Sequence, residues 1–277
     1  MTLDPEIVAA VERALAEDIG AGDVTTQACV PADRRATGRF LARQPQVLAG
    51  MELLPLIYQL RGGVDELVVE CGSGTVVEDG EVVARVGGRA RTLLECERTA
   101  LNFLQRASGI ATLARRFADA VAGTGCVVLD TRKTTPGLRR LEKMASAAGG
   151  ATNHRMGLFD AILIKNNHIA AAGGVRAAIE RARAASPLPI EIEVRTRAEL
   201  DEALAAGAAH LLLDNLTPAE AAAWVRIVGG RARVELSGGI TLENVRAYAE
   251  SGADFVSSGA ITHSAPATDI SFRLELA

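Results

Sequence analysis

Lysine is nearly missing from this chain: only Lys133, Lys143 and Lys165, against 27 arginines. Cysteine is sparse as well. Cys29, Cys71, Cys96 and Cys126 lie far apart with no C-x-x-C pair. That excludes a cysteine zinc site and a dithiol redox motif, and predicts buried free thiols in a reducing cytoplasm. No run approaches 18 uncharged apolar residues, so no segment reads as a membrane span. The N-terminal stretch has neither a basic n-region nor an apolar h-region, so no secretory or transit signal is read. An excess of basic charge is also absent. Lys plus Arg number 30 against 34 Asp plus Glu, for a net charge of −4, where a nucleic-acid binder is normally basic.

What is present is a large apolar fraction, 48% of 277 residues, enough for one barrel-sized domain or two modest ones. Asp4 and Pro5 open an amphipathic helix over 5–17. Candidate strands follow at 39–48, 65–70, 75–78 and 81–86, the last two flanking the turn pair Asp79-Gly80 as a hairpin. Thr92 and Glu95 have capping-box spacing and predict a helix over 92–106. This first part reads as α+β with antiparallel strands.

From about residue 126 short apolar strands recur, each followed by a polar cluster and a helix. They fall at 126–129, 161–164, 190–194, 211–213, 234–236 and 255–257. Buried strands alternating with helices indicate parallel βα units. Two units are near repeats: Thr196 opens a helix closed by Gly207, and Thr241 one closed by Gly252, 11 residues apart in each case. Thr217 and Glu220 cap a third. Six units fall short of eight, so an incomplete α/β barrel fits best, with a doubly wound sheet as the alternative. No G-x-G-x-x-G follows the first of these strands, which removes the main sign of a dinucleotide fold.

Ligands of parallel βα folds sit at the C-terminal strand ends. Those ends read Asp130-Thr131-Arg132-Lys133, Lys165-Asn166-Asn167-His168, Glu191 and Glu193, Asp214-Asn215, Ser237-Gly238-Gly239 and Ser257-Ser258-Gly259. From Asp130 to Lys165 there are seven basic and three acidic residues, and His154 adds a donor. A local cationic pocket in an acidic chain implies a small, multiply anionic substrate. Arg139 and Arg140 read equally well as a solvated helix face, and Lys143 as a helix-surface residue. The two Gly-containing loops suit a phosphate. Glu193 and Asp214, ending adjacent strands, suit Mg²⁺ with substrate phosphates, or else salt bridges to the basic cluster. His168 and His263 lack metal-like spacing and read as structural or surface residues.

Several strings have a family likeness: Glu17-Asp18-x-Gly20-x-Gly22-Asp23-x-Thr25-Thr26, Glu97-Arg98-x-x-Leu101-Asn102, Thr131-Arg132-Lys133-Thr134-x-Pro136-Gly137-x-Arg139, Asn153-His154-Arg155-x-Gly157-Leu158 and Ile164-Lys165-Asn166-Asn167-His168. Glu191-x-Glu193-Val194, Leu213-Asp214-Asn215 and Glu235-x-Ser237-Gly238-Gly239 continue it. Nearly end to end and in order, the chain resembles the quinolinate phosphoribosyltransferase (carboxylating nicotinate-nucleotide pyrophosphorylase) family.

The resemblance implies an N-terminal α+β domain over 1–107, joined by a tail at 266–277, beside an incomplete α/β barrel over 108–265. It implies reaction of quinolinate with phosphoribosyl pyrophosphate to give nicotinate mononucleotide, pyrophosphate and CO2 for NAD synthesis. By the same resemblance Arg132, His154, Arg155 and Lys165 would bind the quinolinate carboxylates. Lys133 would reach the phosphoribosyl pyrophosphate, Glu193 and Asp214 would hold ribose hydroxyls and Mg²⁺, and Ser237, Gly238, Gly239, Ser258 and Gly259 would cradle the 5-phosphate. Arg98 would be supplied by the partner in a homodimer. A molybdenum-operon paralogue or a transferase for another pyridine acid is the nearest alternative. A Schiff-base lyase using Lys165 and a non-catalytic phosphate-ligand binder stand further off.

Overall fold

The computed structural model describes residues 3–276. In chain order its elements are α1 (Pro5–Ile19), α2 (Val24–Cys29), β1 (Arg35–Ala42), β2 (Gln46–Val47), α3 (Leu53–Leu60), β3 (Glu66–Val69), β4 (Val76–Val77), β5 (Val82–Arg89) and α4 (Ala90–Ala120). There follow β6 (Val127–Leu129), α5 (Arg139–Ala148), β7 (Ile162–Ile164), α6 (Asn166–Ala172), α7 (Val175–Ala185), β8 (Ile190–Val194), α8 (Arg197–Ala205) and β9 (His210–Asp214). The chain closes with α9 (Pro218–Val228), β10 (Arg233–Ser237), α10 (Val245–Ala249), β11 (Phe255–Ser257), α11 (Ala260–His263) and β12 (Ile270–Leu276). Two compact units form. One takes the residues up to Arg115, Thr134–Gly150 and those from Ile261 on; the other takes Arg116–Lys133 and Ala151–Ala260.

In the first unit, α1 starts as the sequence predicts. The Asp4 carboxylate accepts the Glu6 N–H, and Pro5 sits in the first turn. Ile7, Val11 and Leu15, four residues apart, form its buried face. Strands run β12-β1-β5-β3 in an antiparallel sheet. Phe40 on β1 meets Phe272 on β12 with ring centroids 4.8 Å apart. A Cβ on Gly38 would lie 2.1 Å from the Phe272 ring, so this close crossing needs glycine.

Three predicted elements of this unit differ. The run 39–48 is two strands in two sheets, broken at Pro45, which has no N–H for a ladder. The Asp79-Gly80 turn forms, but β4 pairs with β2 rather than β5. Both edges of β5 are already taken by β1 and β3. The helix predicted over 92–106 starts at Ala90 and runs to Ala120. Strand β5 passes straight into it, with the Ala90 N–H bonded to the Arg34 carbonyl, so Thr92 lies inside the helix and caps nothing.

The segment Thr134–Gly150, which the sequence grouped with the βα repeats, packs in the first unit. Glu142 on α5 is fully buried and accepts from Arg106 Nη2 at 2.8 Å, Thr135 Oγ1 at 2.7 Å and Thr135 N at 3.0 Å. Gly149 backs onto the Ala111 carbonyl so closely that a Cβ would lie 2.2 Å from its oxygen. Lys143 is fully buried, not on a helix surface. Leu141, Glu142, Ala145 and Ser146 around it are buried too, so α5 has little exposed face to offer a lysine.

The second unit is a parallel six-stranded sheet in the order β6-β11-β10-β9-β8-β7. Among the described residues β6 and β7 do not pair, so the barrel is open, as expected from six units. All six predicted strands are present to within a residue of each end. Capping boxes at Thr196/Glu199 and Thr217/Glu220 open α8 and α9. The Thr241 helix starts later, at Val245, after a turn in which the Thr241 N–H donates to Asn244 Oδ1 at 2.8 Å.

Alternation along the strands sorts the side chains. Ile192, Val194, Leu211, Leu213, Val234, Leu236 and Val256 form one buried apolar face. On the other face the register lines up Glu193, Leu212 and Glu235 at one level and Asp214 with Ser237 above it. That face is polar, and the site lies on it and on the loops above. Of the cysteines, Cys96 and Cys126 are buried as predicted, whereas Cys29 is exposed and Cys71 half-buried. No helix among the described residues is long and apolar enough to cross a membrane.

Candidate active site

All the strand ends of a parallel sheet point to one rim, so the charged clusters that follow the strands must meet there. Arg132 and Lys133 follow β6, His154 and Arg155 precede β7, and Lys165 follows it. Arg132 and Arg155 are half-buried, while Lys133 and Lys165 are exposed. Burial and the neighbouring Arg132 charge both pull the Arg155 guanidinium below its ordinary pKa. Two cations this close repel one another until an anion joins them. Arg139 and Arg140 belong to a different unit from Arg132 and Arg155. They lie in the first unit, where Arg139 Nε donates to Thr134 Oγ1 at 3.0 Å and Arg140 pairs with Asp4 at 3.4 Å.

The Asn153–Asp160 loop is strongly held. Asp160 accepts the Met156 and Gly157 N–H groups at 2.6 and 2.9 Å. Burial alone raises its pKa, but those donors outweigh burial and hold it below the usual value. Arg155 Nη1 donates to the Ala161 carbonyl at 3.1 Å. Leu158 and Phe159 at the loop tip are 74% and 68% exposed.

His154 is the most constrained side chain here. Its N–H donates to Asp130 Oδ1 at 2.9 Å, and Asp130 is fully buried at the end of β6. Nε2 lies 3.2 Å from Glu191 Oε2 and 3.4 Å from Glu235 Oε2. Nδ1 accepts the Arg155 N–H at 2.7 Å. Burial opposes a charged ring and is the largest single effect, but the two carboxylates together outweigh it and push the pKa up to about 9. The Arg155 contact needs an unprotonated Nδ1. A charged ring therefore gives up that contact and turns Nδ1–H into a donor for an incoming carboxylate.

Glu193 and Asp214 come together as the sequence predicted, but around a residue it did not single out. Arg195 Nη2 lies 2.6 Å from Glu193 Oε1 and 3.3 Å from Asp214 Oδ2. Glu193 is buried and the Arg195 side chain 46% exposed, so the guanidinium caps the pair from the solvent side. One cation thus already reaches both carboxylates at once. Two carboxylates meeting at one point fit Mg²⁺, which completes its shell with water and phosphate oxygens, once Arg195 swings aside.

The phosphate-loop candidates are shaped by backbone. Asn215 has φ +58°, the one positive-φ residue other than glycine among the described residues. Its N–H donates to the Ser237 carbonyl at 2.9 Å and its Nδ2 to Asp214 Oδ2 at 2.7 Å. Gly238 has φ +95°, and a Cβ there would lie 2.3 Å from Asn215 Oδ1. Gly238 thus requires glycine on both conformational and steric grounds, and Gly239, with φ +63°, on conformational grounds. Ser237 and Gly259 are half-buried. Ser258 is buried, and its hydroxyl donates to the Ile240 carbonyl at 2.7 Å. It ties the two loops together rather than presenting a free hydroxyl. His168 caps α6 by accepting the Lys165 N–H at 2.9 Å, and His263 contacts Ser264, consistent with the structural roles read for both. Arg98 is exposed on α4 in the first unit.

Sequence reasoning gave no role to Glu191, Glu235 or Arg195. The available signal was a glutamate flanked on both sides by apolar residues within a strand, Glu191 between Ile190 and Ile192 in β8 and Glu235 between Val234 and Leu236 in β10.

Comparison with known proteins agrees along the whole chain. The quinolinate phosphoribosyl transferase C-terminal domain matches residues 110–273, and the N-terminal domain matches residues 23–108. A nicotinate-nucleotide pyrophosphorylase [carboxylating] of Mycobacterium leprae is 43% identical over 271 residues, covering 95% of each chain. A probable one from Synechocystis is 42% identical, covering 95% of this chain and 91% of its own length. The crystal structure of NadC from Streptococcus pyogenes superposes with a TM-score of 0.94 at 37% identity, covering 100% of this chain and 99% of that one. The chain belongs to the quinolinate phosphoribosyltransferase family.

Proposed function

We propose the following roles for this chain's residues in its reaction, the transfer of phosphoribosyl from phosphoribosyl pyrophosphate to quinolinate with loss of CO2, giving nicotinate mononucleotide and pyrophosphate in NAD synthesis. One observation carries the reading: a cationic cluster and a carboxylate pair lie on consecutive strand ends of one open parallel sheet. Arg132, His154, Arg155 and Lys165 receive the two carboxylates of the diacid. Glu193 and Asp214 hold the ribose hydroxyls and, with Arg195 displaced, Mg²⁺. Lys133 reaches the pyrophosphate. The turns at Ser237, Gly238, Gly239 and Gly259, braced by Ser258, take the 5-phosphate on backbone N–H groups.

Catalysis is then positioning and electrostatics. The pyridine nitrogen attacks the anomeric carbon, and the bond from that carbon to the pyrophosphate oxygen breaks. Mg²⁺, when bound, supplies charge neutralisation for the departing pyrophosphate. Glu193 and Asp214 steady the positive charge that develops on the ribose. The ring nitrogen is now quaternary. The bond to the adjacent carboxylate breaks, its electron pair stays on the ring carbon as CO2 leaves, and a proton from Lys133, Lys165 or water is taken up there. We further propose a homodimer in the cytoplasm, with Arg98 supplied to the neighbouring subunit's site.

Pyrophosphate release tests the activity. It should depend on quinolinate and fall to background when EDTA removes Mg²⁺. Asp214→Asn should weaken phosphoribosyl pyrophosphate binding at least tenfold while changing quinolinate affinity less than threefold. Calorimetry that finds both affinities intact, with only a lower Tm, would return Glu193 and Asp214 to a purely structural ion pair with Arg195.

A further inference from the structure

Glu235 sits in the middle of β10, 1% exposed, facing the polar side of the open barrel. The register places Leu212 beside it at the same level of the sheet. This level therefore accepts an apolar side chain, and a carboxylate there loses its hydration without any packing need for it. Its partners show what it does instead. Oε2 is buried and lies at ion-pair distance, 3.4 Å, from His154 Nε2, and among the described residues it makes no closer polar contact. The Ser257 hydroxyl bonds the same carboxylate. Glu191, 6% exposed, reaches Nε2 from β8 at 3.2 Å.

His154 is thereby held at both ends: the backbone by Asp130, the ring tip by two carboxylates from non-adjacent strands. An imidazole can otherwise turn about its side-chain bonds and exchange its two nitrogens. Here Nε2 must carry a proton and point into the barrel, which leaves Nδ1 on the side of the Arg155 backbone.

We propose that Glu235 is a positioning residue for the dicarboxylate pocket: with Glu191 it fixes the His154 ring so that Nδ1 faces the Arg155 loop where a substrate carboxylate binds. This rests on the reading that quinolinate binds at Arg132, His154, Arg155 and Lys165. Glu235 touches no substrate itself. It acts on the diacid side of the site and leaves the phosphoribosyl side alone, where a structural residue would disturb both.

Glu235→Leu and Glu235→Gln, with the full-length enzyme, separate the cases. Glu235→Leu should raise KM for quinolinate tenfold or more, with KM for phosphoribosyl pyrophosphate within twofold of wild type. Glu235→Gln keeps a carbonyl acceptor for Nε2–H and should recover most of that loss, to within about fivefold. Nitrogen-15 NMR of labelled histidine, with the His154 signals assigned by their loss in His154→Asn, should show a protonated Nε2 in wild type and tautomer exchange in Glu235→Leu. Equal changes in both KM values, or no recovery by glutamine, overturn the proposal. An unprotonated Nε2 in wild type does so even if Glu235→Leu fails to fold. Binding of one Zn²⁺ that is lost in Glu235→Gln also overturns it, since His154, Glu191 and Glu235 then form a metal site. If wild type turns over but quinolinate affinity is unchanged in Arg132→Ala and Arg155→Ala, the binding reading has failed instead, and the NMR result stands apart.

Discussion

Arg98→Ala and Arg132→Ala should each abolish most activity when pure, and a mixture of the two should regain roughly a quarter of the wild-type rate. Arg98 lies on α4 in the first unit, exposed, while every other cation assigned to the diacid lies in the second unit. If each subunit of a two-fold dimer lends Arg98 to its neighbour, random reassociation makes half the dimers mixed. Each mixed dimer has one site with both lesions and one with neither. The arithmetic follows from symmetry and does not depend on the strength of any contact. The experiment is reversible dissociation, mixing, and assay of pyrophosphate release, with subunit exchange followed by mass spectrometry. A mixture that exchanges subunits yet stays as inactive as its parents rules out sharing of Arg98.

The parallel sheet was legible in the sequence because each strand carries its own signal. Ile192 and Val194, Leu211 and Leu213, Val234 and Leu236 make one apolar face continuous, and the caps Thr196/Glu199 and Thr217/Glu220 mark where α8 and α9 begin. Local chemistry fixes these elements, so reading them locally succeeds. The antiparallel part was less legible because pairing is not local. Nothing in the residues 75–86 says that β5 already has partners on both edges, and so a good hairpin turn was assigned a hairpin that does not form. The α5 segment shows the same limit. Its burial around Glu142 and Lys143 depends on Arg106 and on the α4 backbone near Ala111, which are remote in sequence.

The site divides along the same line. Strand-end charges were legible because topology alone sends them to one rim. Arg195 was not, since an exposed arginine after a strand is ordinary until Glu193 and Asp214 are seen to share its Nη2. Glu235 belongs to a string with family likeness, but nothing in that string shows what the residue does. Its meaning depends on His154, 81 positions earlier in the chain, arriving over the same level of the sheet. The cations Arg132, Arg155 and Lys165 lie outside the strands in segments of recognisable composition, whereas Glu191 and Glu235 lie within strands, where only register shows what they face.

Quinolinate should react and nicotinate should be rejected by a factor of roughly 30 to 5,000 in kcat/KM, which corresponds to about 2–5 kcal/mol for losing one charged partner of a desolvated, hydrogen-bonded contact. The cause is the crowding of Arg132 and Arg155, where burial first and then the Arg132 charge pull Arg155 down, together with His154 held among buried carboxylates. A dianion relieves that repulsion with two carboxylates. Nicotinate brings one and leaves part of the half-buried cluster without a substrate carboxylate. The asymmetry also has a use within the turnover. Decarboxylation removes from the product the very group that nicotinate lacks, so nicotinate mononucleotide should bind the diacid side more weakly than quinolinate does. Steady-state kinetics with each acid, and calorimetry with the product, measure both effects. Arg155→Ala should narrow the discrimination between the acids by lowering the rate with quinolinate far more than with nicotinate. Comparable turnover of nicotinate by wild type would mean that the cations serve phosphate and pyrophosphate instead, and the dicarboxylate assignment would fall with it.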